Sequence, residues 1–267
     1  MKAFIFLLMF VPSFSNPISL SSFFSLFNKK EEKPIAENIP IKDWYMQKLE
    51  QEERELYKRL YSMFWLRESK WEGFKKSCIE PYQAFEEQLK AEAYASCAQA
   101  VDASLVKMIN RLLIREGLDP AEIEIIRDGP FAAFDISTSE RTIYLCEENF
   151  FDFHHAELEM ESSILHEIQH IKFHDNFIAF CLTRLLDQTF FFAIWRWNNW
   201  LKDWQHFRER RADLFSGLID KTYAQARVHL FQSYLARFGD YQSETHPSIK
   251  ERYLYMQELC DRMGLNP

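Results

Sequence analysis

Between Asp43 and about Lys70, the apolar residues Tyr45, Leu49, Leu56, Leu60 and Phe64 recur at intervals of four and seven among glutamates and lysines. That spacing predicts an amphipathic helix. A second helical stretch is expected from Pro81, suited to a first turn, to Gly117, which stops the run "RLLIRE". These helices read most simply as scaffold, with a partner-binding hairpin as the alternative. The period changes after Asp119 and Pro120. "EIEIIR" ending at Arg127, "FAAFDI" at 131–136 and "TIYLCE" at 142–147 are short β-prone runs separated by "DGP" and "STSER", and they predict a small antiparallel sheet. Helical spacing returns near Phe153 in "HAELEMESSILHEIQHIKFH". The expected fold is a mostly helical α+β protein, with an N-terminal helical region over 42–117 and a second region over 118–267.

The first residues, "MKAFIFLLMFVPSFSN", place a lysine before an apolar run from Ala3 to Val11, followed by Pro12 and the small Ser13 and Ser15. This is the grammar of a cleaved export signal over residues 1–15. The run is short of the roughly 20 residues that span a bilayer. A buried N-terminal helix is the competing reading, because "LSSFFSLF" continues the apolar character. Residues 16–41, charged and broken by Pro34 and Pro40, read as a linker. An exported location, periplasmic or secreted, follows from the leader.

Composition narrows the function. Six glycines and nine prolines in 267 residues are few enough to favour helix, and 25 phenylalanines make the core or an interface aromatic. A formal charge of −8 removes nucleic acid as a partner, since that binding needs a basic surface to displace phosphate counterions. Five widely spaced cysteines without a CxxC pair build neither a zinc cluster nor a disulfide framework. Export would permit a bridge, with at least one thiol left over. "FFFAIWRWNNWLKDW" at 190–204 contains charges that argue against a membrane span. It reads as an amphipathic core helix or, alternatively, as a segment for peripheral membrane contact or for covering a cleft.

The candidate chemistry lies in "ESSILHEIQHIKFHD" at 161–175. His166 and His170, four residues apart, leave one helix face about 6 Å apart along the axis, a separation one zinc ion can bridge. Glu167 lies about 100° around the helix, where its carboxylate could deprotonate a bound water. This HExxH pattern competes with a bland reading of solvated histidines. His174 continues the spacing but lies about 12 Å along the axis from His166, too far to share one ion, so a structural or outer role is expected for it. Further along, "HFRERRADLFSG" puts Glu209 and Asp213 one turn apart. Glu209 would complete a His, His, Glu site, and Asp213 could accept the free ring N–H of a ligand histidine. Taken alone, both could be ordinary surface charges. In "ETHPSIKERYLY", His246 precedes Pro247, and Arg252 follows six residues later. His246 is a candidate donor to an oxyanion, or simply a helix-entry residue.

In combination, "HEIQH", "ERRAD" and "THPSIKER" resemble the HtpX-like and CAAX prenyl family of zinc endopeptidases, whose pattern is HExxH, a distal ExxAD and a later THP followed by an arginine. "GPFAAFDISTSERTIYLCEE" looks like the family's edge-strand hairpin, where substrate adds as an extra strand. The resemblance spans roughly residues 118–256. It implies a zincin-type core in which one zinc ion is held by His166, His170 and Glu209. Glu167 would be the general base, Asp213 an outer partner, His246 a transition-state donor and Arg252 its electrostatic neighbour. The expected function is hydrolysis of protein or peptide substrates. A zinc-containing scaffold or chaperone-like protein without proteolysis is the alternative.

Overall fold

The computed structural model describes residues 39–97, 99–128, 136–147, 150, 151, 154, 156–188, 194–243 and 245–265. The leader, nearly all of the linker, residues 131–135 of "FAAFDI" and Phe153 lie outside the described residues. Ile41–Pro267 forms one compact unit. The fold is mostly helical with one small sheet, hence α+β.

Helix α1, Ile41–Phe64, buries Tyr45, Leu49, Leu56 and Leu60, the stripe its spacing predicts. It does not continue to Lys70. The chain turns at Trp65, which takes a left-handed φ of 46°, and α2 runs Glu68–Ser77. The expected helix from Pro81 to Gly117 is likewise two helices, α3 (Ile79–Ser96) and α4 (Ala103–Arg115). Asp102 makes the break by accepting hydrogen bonds from the backbone N–H groups of Ser104 and Leu105, an N-cap in mid-sequence. Gly117, with φ of 78°, follows α4 as expected of a helix stop.

The sheet contains β1 (Glu124–Arg127), β2 (Ile136–Thr138) and β3 (Thr142–Leu145), in the order β1-β3-β2. It is mixed, not antiparallel as expected. β2 and β3 pair antiparallel across a tight turn, whereas β1 and β3 pair parallel, Glu124 opposite Thr142. The chain leaves β1, passes to the far side of the sheet for β2, and turns back into the centre as β3. Residue alternation marks where strands form, but this crossover decides their order. It leaves β2 at an edge, against the next helix.

Among the described residues, the helices that follow include α5 (Glu157–Lys172), α6 (Asp175–Gln188), α7 (Ile194–Ile219), α8 (Lys221–Phe238) and α9 (Ile249–Arg262). Ile164, Leu165 and Ile168 of α5 join Ile143 and Leu145 of β3 and Ile109 and Leu112 of α4 in one core cluster. A second cluster brings Trp197, Trp200 and Trp204 of α7 together with Leu56 and Leu60 of α1 and Met256 and Leu259 of α9. The buried Trp200 indole donates to the Leu56 carbonyl at 2.8 Å. The described part of the 190–204 aromatic stretch therefore serves the core. At Gly217 a Cβ would lie 2.8 Å from Met256 Cε, so the missing side chain lets α7 and α9 approach. Among the described residues, no helix is long and apolar enough to cross a membrane.

Candidate metal centre

Helix α5 packs against α7, α8, β2 and α4. Helical spacing points His166 and His170 the same way, and both residues are 5% exposed, so neither faces solvent as free histidines would. Their Nε2 atoms lie 3.2 Å apart. Glu209 on α7 closes the group: its Oε2 is 3.2 Å from His166 Nε2, and its Oε1 is 3.4 Å from His170 Nε2. The ligands of a tetrahedral zinc ion, about 2.0–2.1 Å from the metal, sit about 3.3 Å from one another. The three side chains therefore fit the predicted His, His, Glu set.

Hydrogen bonds behind the rings fix what the converging atoms are. His166 Nδ1 is 2.8 Å from Asp213 Oδ1, and His170 Nδ1 is 2.8 Å from Asp175 Oδ2. Each carboxylate can only accept, so each Nδ1 carries the ring hydrogen. An Arg227 nitrogen also lies 3.1 Å from His166 Nδ1, but it donates to Asp213 Oδ1, leaving the ring N–H to the same carboxylate. Two bare imidazole nitrogens and a carboxylate thus meet in a buried space. Glu209 Oε2 is buried without a hydrogen bond, although two imidazole nitrogens lie within 3.3 Å. Such a cluster can share a proton or a metal ion. Burial disfavours charge on His170, yet Glu209, Asp175 and Glu167 together push that imidazole up to about 10. A proton on His170 can therefore supply the positive charge that a metal ion would otherwise bring.

The carboxylates are held ionised by their surroundings. Burial alone would raise Asp213, but Arg227 and Arg252 hold it well below the usual range. Arg252 forks onto it through Nε and a terminal nitrogen, both at 2.9 Å, and Tyr255 donates to it as well. Asp175, equally buried, is kept low by Arg211, which donates to it. Glu209 is held well below its usual value against burial, by the imidazoles of His246 and His170.

Glu167 lies beside this group, with Oε1 3.9 Å from His166 Nε2. Thr138 of β2 donates its hydroxyl hydrogen to Glu167 Oε2 at 3.2 Å. His246, in the loop before α9, brings Nε2 within 3.3 Å of Glu209 Oε2. Glu209 pulls the His246 ring upward, but burial and the Arg252 and Arg208 cations outweigh it and hold it at about 4. It is neutral near pH 7. Thr245 Oγ1 lies 2.7 Å from His246 Nδ1, and the ring turns its Nε2 to the site.

All the residues read from the motifs therefore gather at one place: His166, Glu167, His170, Glu209, Asp213, His246 and Arg252. His174 does not, and it is not on the helix of His166 and His170. Helix α5 ends at Lys172, and His174 adopts φ of 56° in the turn to α6, its ring hydrogen bonded to Glu140. This turn, as much as the helix rise, keeps it apart from the other two rings. Sequence reading missed Asp175, Arg227 and Thr138, whose roles arise from that turn, from α8 and from the hairpin, without any local pattern. No family model, curated protein or solved structure matches the chain.

Proposed function

We propose that the protein is a zinc-dependent endopeptidase. The observation that carries this reading is the convergence of His166 Nε2, His170 Nε2 and the Glu209 carboxylate, with both ring hydrogens directed away to Asp213 and Asp175. The order of HEIQH, ERRAD and THP, similar to the HtpX-like family, supports it further. His166, His170 and Glu209 would hold the ion, which supplies Lewis-acid polarisation and makes water more acidic.

The chain's own residues then divide the work. Glu167 takes a proton from the attacking water as the new C–O bond forms, and returns it to the leaving amine as the C–N bond breaks. His246, neutral and with Nε2 toward the site, donates in its Nε2–H tautomer to the oxyanion that develops on the scissile carbonyl. Arg252 and Arg227 neutralise Asp213, so that this carboxylate can hold His166 without adding a bare negative charge to the site. The leader at residues 1–15 would deliver the enzyme outside the cytosol, and unfolded or extended protein segments are the substrate class.

The test compares wild type with Glu167→Gln for zinc content and for cleavage of unfolded β-casein. Stoichiometric zinc in both, with cleavage only by the wild type, is the expected result. Equal cleavage by both would sink the mechanism, and purification without zinc uptake would remove the metal reading altogether.

A further inference from the structure

The first turn of α6 touches the site in two places at once. Asp175 holds the ring of His170. The next residue, Asn176, reaches β2: its Nδ2 lies 2.9 Å from the Thr138 carbonyl oxygen and 3.3 Å from Thr138 Oγ1. A carbonyl only accepts, so the amide nitrogen of Asn176 faces Thr138 and donates. With Oγ1 receiving from Asn176, the Thr138 hydroxyl hydrogen is free to go to Glu167 Oε2, 3.2 Å away.

The strand register adds a second consequence. Ser139 N–H bonds to the Thr142 carbonyl, and β2 and β3 continue as Ser137 opposite Tyr144 and Thr138 opposite Ile143. Antiparallel pairs alternate between bonded and non-bonded residues. Thr138 is therefore in a non-bonded pair, and its carbonyl points away from β3, toward the edge of β2 that no other described strand covers. That is the group Asn176 occupies. A peptide strand adding to this edge meets that carbonyl already engaged by Asn176.

We propose that Asn176 is a positioning residue: it aims the Thr138 hydroxyl at Glu167 and closes the edge of β2 at Thr138, so that an added peptide strand must leave the sheet beside Glu167. This rests on the peptidase reading of Glu167 for its catalytic meaning, though the orientation of Glu167 is measurable without any activity.

The experiment uses the full-length, zinc-loaded protein with wild type, Asn176→Asp, Thr138→Val and Thr138→Ser. Asn176→Asp keeps the side-chain shape, reverses the polarity toward the Thr138 carbonyl, and suits the first turn of a helix. Two readouts are taken. The first is the side-chain carboxyl resonance of Glu167 in protein labelled with carbon-13 glutamate, assigned by its loss in Glu167→Gln. The second is kcat, KM and the map of cleavage sites on unfolded β-casein. Zinc content is expected to stay at the wild-type level throughout. The Glu167 resonance should move in Asn176→Asp and Thr138→Val and remain in place in Thr138→Ser. For Thr138→Val, kcat should fall about tenfold with KM little changed, the cost of one hydrogen bond to a charged group. Asn176→Asp should lower kcat and also shift the cleavage map. An unmoved Glu167 resonance in Asn176→Asp, or a Thr138→Ser protein as impaired as Thr138→Val, overturns the proposal. If the resonance moves as expected while zinc-loaded wild type cleaves nothing, the positioning stands and the peptidase reading fails.

Discussion

His166 and His170 bring their Nε2 atoms to 3.2 Å from each other while each turns its Nδ1 to a different buried carboxylate, 2.8 Å away. Two acceptor lone pairs at that distance repel unless a proton or a metal ion lies between them. On the proposed zinc reading, the metal should act as a folding ligand.

Zinc removal with a chelator should lower the melting temperature. At a thousandfold excess over the dissociation constant, binding adds about 4 kcal/mol, which for a unit of this size corresponds to roughly 10 °C. Differential scanning calorimetry with and without the ion checks this. A melting curve indifferent to zinc would contradict the site.

The two outer carboxylates should separate experimentally. Asp175→Asn should weaken zinc binding by roughly 10- to 100-fold, because His170 loses the partner that fixes its tautomer. Asp213→Asn should do the same and also destabilise the fold by about 3 kcal/mol, because Arg227 and Arg252 then keep buried charges without their carboxylate. Metal titration and urea unfolding on each variant give the two quantities independently.

His174 should prove dispensable for the metal. His174→Asn, which tolerates the same left-handed backbone, is expected to retain full zinc stoichiometry, whereas His170→Asn should lose it. Zinc loss in His174→Asn would mean that the turn after α5 contributes a ligand.

Stability should also fall in mild acid. His206 is pushed down to about 4, chiefly by burial and then by Lys202. Its unfolded form takes up a proton near pH 6.5, so between there and about 4 the unfolded chain binds more protons than the native one. The native state is thus fully favoured above pH 6.5 and loses ground as pH drops. Allowing for partial exposure of the ring, the loss is about 2 kcal/mol. His206→Gln should flatten this part of the pH–stability curve in urea titrations.

The local sequence went far at the site because its chemistry is written on helices. HEIQH places two imidazoles on one face by spacing alone, and ERRAD places Glu209 and Asp213 one turn apart. The same reading stumbles where conformation departs from local pattern. Nothing in "MFWLRES" signals that Trp65 turns left-handed and divides one long amphipathic run into α1 and α2. The β-prone runs are legible, but their neighbours are not, since alternation carries no information about which edge a returning strand joins.

Residue order and helical period by themselves determined the mostly helical fold, the paired histidines, the glutamate between them and the distal carboxylates. Only the tertiary structure decided that Glu209 meets both rings, that Asp175 sits behind His170 and that Thr138 faces Glu167. Those relationships join α5 to α6, α7 and β2. They depend on a left-handed residue at His174, a crossover that leaves β2 at the sheet edge, and buried arginines that let acidic groups survive in the core. Such long-range balances of charge and packing have no period along the chain.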